Sequence, residues 1–162
     1  PKKISLQCLA DLRVENGRFV FQTQDKALIF AKEYMKRQRE HWGGNEAVTR
    51  YTILAKTLEY AMKHGIVEFK DFWTYDKYVL GKLKRSQNIV VQTNLAVLRK
   101  KSLTTLPRSK KTLRKKFRHI DPEVITKHKP IALSILSSSY RNLLKKERKE
   151  NEKGIPQPVL HY

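Results

Sequence analysis

The chain has 162 residues and a formal net charge of +20, from 35 Lys and Arg against 15 Asp and Glu. That length allows one domain, or part of a larger one, with a core of ordinary size. No apolar run approaches the ~18 residues needed to span a bilayer, and the N-terminus lacks the charged-then-apolar pattern of a secretion signal. The single cysteine, Cys8, excludes an internal disulfide. One cysteine with five scattered histidines gives no zinc spacing. A reducing, cytoplasmic setting is expected. Because the chain begins at Pro1 and not at a methionine, it is expected to be a piece of a longer protein.

Ile4 to Leu12 is short and apolar. Leu12-Arg13-Val14, the turn Glu15-Asn16-Gly17-Arg18 and Phe19-Val20-Phe21 predict a β-hairpin, since Asn-Gly tolerates the positive φ such turns need. Asp25 is placed to cap a helix running to about His41, with Ala27, Leu28, Ala31, Tyr34 and Met35 on its apolar face. Trp42-Gly43-Gly44 breaks it, because two glycines make continuous helix costly. Asn45 is read as the cap of the next and best-defined helix, with Glu46 at its positive end. Tyr51, Leu54, Ala55, Leu58, Ala61 and Met62 predict its buried face, and Gly65 its stop.

Ile66 to Tyr75 is rich in aromatic residues and reads as a short helical turn or a loop plugging the core. Thr74 is placed to cap a helix to about Arg85 that buries Tyr75, Tyr78, Val79 and Leu83. Ser86 or Asn88 starts another, to about Lys101, although Ile89-Val90-Val91 also suits a buried strand. Leu103 to Leu106 is a short strand or loop closed by Pro107. Asp121-Pro122-Glu123 predicts a brief helix start. From Pro130 either a helix through Leu144 or a strand over residues 132–138 fits. Lys145 to Lys153 is expected to fray, and residues 154–158 to be extended.

The expected fold is mainly α, a helical bundle with a small N-terminal β-hairpin. Residues 4–22 form the hairpin segment, 25–101 a helical core and 102–162 a basic C-terminal extension of one region, 1–162. Charge is concentrated. From Lys77 to Ile120 there is no Asp or Glu and there are fourteen Lys or Arg. Such density favours an anionic partner, whether nucleotide, nucleic acid or an acidic protein face. The carriers would be Arg99, Lys100, Lys101, Arg108, Lys110, Lys111, Arg114, Lys115, Lys116 and Arg118. Catalytic motifs are lacking. Gly43-Gly44 has no following Lys-Ser/Thr, Ser137 to Ser139 has no glycine frame, and Asp71 and Asp76 read as a cap and a solvated charge.

The order of elements carries a resemblance. LRVENGRFVF precedes a helix ending in REHWGGNEAVTR; then come ILAKTLEYAMKHGIV, FWTYDKYVLGKLKRS and NIVVQTNLAVLRKK. Over about residues 6–101 this succession resembles the C-terminal helical part of HD-domain metal-dependent phosphohydrolases, in the deoxynucleoside-triphosphate triphosphohydrolase branch. The resemblance implies hydrolysis of a nucleotide or phosphate ester, with a divalent metal held by an H…HD…D motif. This chain has no His-Asp dipeptide. The metal-bearing half would lie upstream of Pro1, as the partner of this region, and the chain alone would supply no catalytic residue and no metal ligand. It would complete the pocket or an oligomer interface, including a homo-oligomer. The resemblance also implies side chains directed at phosphates and sugar from this stretch. Arg37 and His41 share a helix face at i, i+4; Asn45 follows after the break, and Arg50 with Tyr51 is the alternative pair. The competing expectation is a basic nucleic-acid-binding or protein-interaction module, with no membrane contact.

Overall fold

The computed structural model describes residues 2–127 and 129–159. Of the expected extension, His128 and residues 160–162 lie outside the described residues, as does Pro1. In chain order the elements are α1 (Lys2–Ala10), β1 (Leu12–Glu15), β2 (Arg18–Phe21), α2 (Gln24–Arg37), α3 (Asn45–Lys63), α4 (Asp76–Arg85), α5 (Ile89–Arg99), β3 (Arg108–Leu113), β4 (Glu123–Ile125), β5 (Pro130–Ala132), α6 (Leu133–Leu136), α7 (Ser138–Glu152) and β6 (Ile155–Pro158). A π turn, Gln38–Trp42, follows α2, and a 3₁₀ turn, Phe69–Trp73, precedes α4. Among the described residues the fold is mainly α. They divide into two compact units, one within Pro1–Gly44 and Arg114–Gly154, the other within Asn45–Leu113 and Ile155–Tyr162.

The first unit is built on a four-stranded mixed sheet in the order β1-β2-β4-β5. The hairpin closes at Asn16 (φ 49°) and Gly17 (φ 74°), the positive-φ pair its sequence predicts. β2 runs parallel to β4, pairing Phe21 with Val124, and β4 runs antiparallel to β5. Cys8, Phe21, Ala27, Ala31, Val124, Leu133 and Tyr140 form the core. The apolar face expected for α2 is buried at Ala27, Ala31 and Met35. Tyr140 is fully buried, and its hydroxyl donates to the Ile120 carbonyl.

In the second unit α3, α4 and α5 enclose Ala61, Val67, Val79, Leu83, Val91 and Leu95. β3 and β6 pair antiparallel. Gly65 (φ 67°) stops α3, and the Ile66 N–H reaches back to the Ala61 carbonyl at 2.9 Å. Asp71 is buried, accepts the Glu68 N–H at 2.8 Å and pairs with Lys82 at 2.7 Å. The Lys82 ammonium, then the Glu68 N–H, hold its carboxyl below the ordinary range.

Several local expectations are corrected. Residues 4–22 are a hairpin only from Leu12, because Lys2–Ala10 is helical and buries Cys8. Thr23 caps α2 in place of Asp25, and Asp11 anchors that cap by accepting from the Thr23 N–H and hydroxyl. Thr74 does not cap α4. Its hydroxyl donates to the Asp71 carbonyl, and Tyr75 holds the cap position. Tyr75 and Tyr78 are exposed, leaving Val79 and Leu83 as the buried side of α4. Asn88 caps α5, and Ile89-Val90-Val91 is helical. No helix starts at Asp121-Pro122-Glu123. Glu123–Ile125 is strand β4, and the Asp121 carboxylate accepts the Ser134 N–H at 2.9 Å, early in α6. Pro130 opens a strand, and α7 continues through Glu152 where fraying was expected. No described helix is long and apolar enough to cross a membrane.

Candidate anion-binding site

The end of α2 and the π turn position one cationic and two aromatic side chains together. Arg37 and His41 lie one turn apart, both exposed, and the Arg37 Nη1 lies 3.1 Å from His41 Nε2. A guanidinium can only donate, so Arg37 is the donor in this contact. Trp42, the last residue of the π turn, packs on Tyr34 with ring centroids 5.2 Å apart. The turn closes with the Gly43 N–H on the Gln38 carbonyl at 2.7 Å. Here the glycines answer a steric demand. A Cβ on Gly43 would meet Gln38 Nε2 at 2.4 Å, and one on Gly44 would meet the Glu40 carbonyl oxygen at 2.9 Å.

Beside this turn is a cavity of about 350 Å³ between α1 and α2, walled by Cys8, Phe30, Glu33, Tyr34, Arg37 and Trp42. Among the described residues no carboxylate forms an ion pair with Arg37. The cavity therefore offers a guanidinium that contacts His41 and has no carboxylate partner among the described residues, beside an aromatic wall, the combination that receives a phosphate and an adjoining ring. Glu33 on the same wall repels an anion and can accept from a hydroxyl or an N–H. Cys8 is no nucleophile here. Its thiol is buried, and burial pushes its pKa up.

The other candidates lie in the second unit. Arg50 pairs with Glu46 at 2.6 Å and donates to the carbonyls of Leu98, Lys100 and Lys101, tying down the end of α5. Its guanidinium is used within the fold. Asn45 is the first residue of α3 and Tyr51 is 63% exposed on it. Arg108 donates to Thr49 Oγ1 at 2.8 Å and to the carbonyls of Leu103 and Pro156.

The remaining carriers stay at the surface. Arg99, Lys100 and Lys101 are exposed at the end of α5, and Lys110 and Lys111 on β3. In the first unit Arg114, Lys116 and Arg118 are exposed and Lys115 is half-buried. Of the fourteen cations between Lys77 and Ile120, Lys82 alone has a carboxylate partner among the described residues. Among those residues, no group of three or more His, Cys, Asp or Glu is arranged to hold a metal ion.

Tyr34, Trp42 and Gln38 escaped the sequence reading as site residues. Tyr34 sits at a core spacing of α2, and nothing in QREHW announces a π turn. A comparison with protein-family models finds no match, and comparisons with curated proteins and with solved structures find no significant similarity.

Proposed function

We propose that this chain is the helical, non-catalytic part of an HD-type phosphohydrolase acting on nucleotides or phosphate esters. In this reading it helps complete a helical bundle and its pocket, or an oligomer interface, in a cytoplasmic enzyme. In it the divalent metal and its ligands belong to the preceding half of the protein. The observation that carries the reading is the exposed Arg37–His41 pair beside an aromatic-walled cavity. Arg37 binds a phosphate oxygen, His41 holds the guanidinium in place, and Tyr34 with Trp42 bounds the sugar or base side.

The test uses the full reading frame. If it encodes an upstream H…HD…D, Arg37→Ala in the whole enzyme should raise KM for a deoxynucleoside triphosphate about tenfold, the loss expected for one charge-assisted hydrogen bond. An unchanged KM, or a reading frame without that motif, contradicts the proposal.

The thirteen cations of this tract without a carboxylate partner among the described residues favour a second reading, a surface that tracks the phosphates of a nucleic acid without reading bases. Such binding falls with salt, with a log–log slope of about −0.9 per phosphate contacted on duplex DNA. No binding to single- or double-stranded DNA at ~50 mM salt would exclude it.

A further inference from the structure

A second cavity of the first unit, about 360 Å³, opens where α2 and its π turn face the 115–117 segment and the end of α7. Gln38 lines it and is 3% exposed. Its Nε2 donates to the Lys116 carbonyl at 2.9 Å, which fixes the amide, while its Oε1 is buried with no partner. A buried acceptor left unpaired is costly, and native folds keep few of them. Two features of the fold hold this one in place. The π turn begins at Gln38, whose carbonyl accepts the Gly43 N–H at 2.7 Å, and such turns are frequent at functional sites. Gly43 leaves space for the amide that any side chain would take.

The charges around the cavity are also unequal. Arg39 is paired with Glu147 and Lys153 with Glu150, each at 2.8 Å. Lys115 is the lining cation without a carboxylate partner among the described residues. The Asn151 amide donates to the Lys115 carbonyl at 2.9 Å, holding that backbone against α7. Among the lining groups the Gln38 amide oxygen is the buried acceptor without a partner and Lys115 the cation without a carboxylate, beside the Phe117 ring.

We infer that this cavity binds a small ligand that joins an amino or imino N–H donor to one anionic group, the chemistry of a nucleoside monophosphate. The donor satisfies Gln38 Oε1 and the phosphate pairs with Lys115. The volume is at the lower end of the range for small-ligand sites. The inference goes beyond the HD-type reading, which concerns the cavity beside Arg37.

The experiment is calorimetric titration of the chain with AMP, adenosine and ribose 5-phosphate, on wild type, Gln38→Met, Lys115→Met and Arg37→Ala. Circular dichroism and the thermal midpoint control for folding. Lys115→Met keeps the test decisive should Gln38→Met fail to fold, because Lys115 is half-buried and its side chain has no carboxylate partner among the described residues. The expected result is AMP binding that weakens about fivefold or more in each of the Gln38 and Lys115 variants, the size of one lost polar contact. Adenosine and ribose 5-phosphate, each lacking one of the two groups, should bind more weakly than AMP. Three results overturn the inference. One is no AMP binding by wild type up to ~10 mM, which would leave only an ordinary buried water to satisfy Oε1. The second is equal AMP affinity in wild type and Lys115→Met. The third is loss confined to Arg37→Ala, which places the ligand in the other cavity.

Discussion

Arg50 shows how a charged residue can be read as a ligand contact and turn out to be a fastener. It sits on an accessible helix beside a glycine break, as a phosphate-binding arginine would. The structure gives its donors to Glu46 and to three carbonyls at the end of α5. Those carbonyls have no helical partner of their own, so the guanidinium acts as a C-terminal cap across 48 to 51 residues of sequence. Arg50→Met should therefore lower stability by about 1–2 kcal/mol and leave anion affinity unchanged. Chemical denaturation and phosphate titration on the same variant check both. Tyr140 makes the second residue-scale prediction. Its phenol is raised to about 12, first by burial and then by the Asp121 charge. The folded state prefers the neutral phenol, so the stability it contributes is complete below about pH 10, the ordinary value. It is lost as pH rises through about 12. In a 295 nm titration one of the seven tyrosines should stay neutral above the range of the rest, and Tyr140→Phe should remove that late component.

At the scale of the element, α3 carries the clearest lesson. Its ends were legible, because Gly43-Gly44 and Gly65 mark them. Its buried face was legible only in part. The apolar spacing pointed to Tyr51, Leu54, Ala55, Leu58, Ala61 and Met62; of these the helix buries Ala61, together with Thr49, Ile53 and Thr57. Threonine can be buried here because its hydroxyl donates to a carbonyl one turn back. Thr49 reaches Asn45 at 2.6 Å and Thr57 reaches Ile53 at 2.7 Å. A hydropathy pattern counts those residues as polar and rotates the face by about one position. Ile53→Ala should cost about 2–5 kcal/mol, as for other fully buried aliphatic residues. Leu58→Ala, half-buried, should cost less. Urea unfolding of the two variants decides between the faces, and equal costs would argue against the one described. The turns and caps that depend on neighbouring residues were largely readable: Asn16-Gly17, Asn88 and Gly65. Elements that depend on distant pairing were not. β4 exists because Val124 pairs with Phe21 and Asp121 bonds Ser134, and neither contact has a local signature.

Across the whole molecule, charge is the property most directly read from composition and retained in the structure. Among the described residues the tract from Lys77 to Ile120 keeps its cations largely without carboxylate partners, and Arg108 and Lys82 are the two whose side chains bond within the fold. The division into two units was not legible, because Arg114–Gly154 belongs with the N-terminal residues and Ile155 onward with the middle of the chain. The candidate site was half legible. The Arg37–His41 spacing is visible in any helical reading, while the cavity beside it depends on α1, which lacks a helical signature strong enough to predict. The proposed function requires that this pair receive phosphate. Titration of the chain with a deoxynucleoside triphosphate at ~50 mM salt, wild type against Arg37→Ala, tests it most directly. Saturable binding that weakens about tenfold in the variant is expected, with the thermal midpoint retained. Equal affinity in the two proteins, or no binding by wild type, would contradict it.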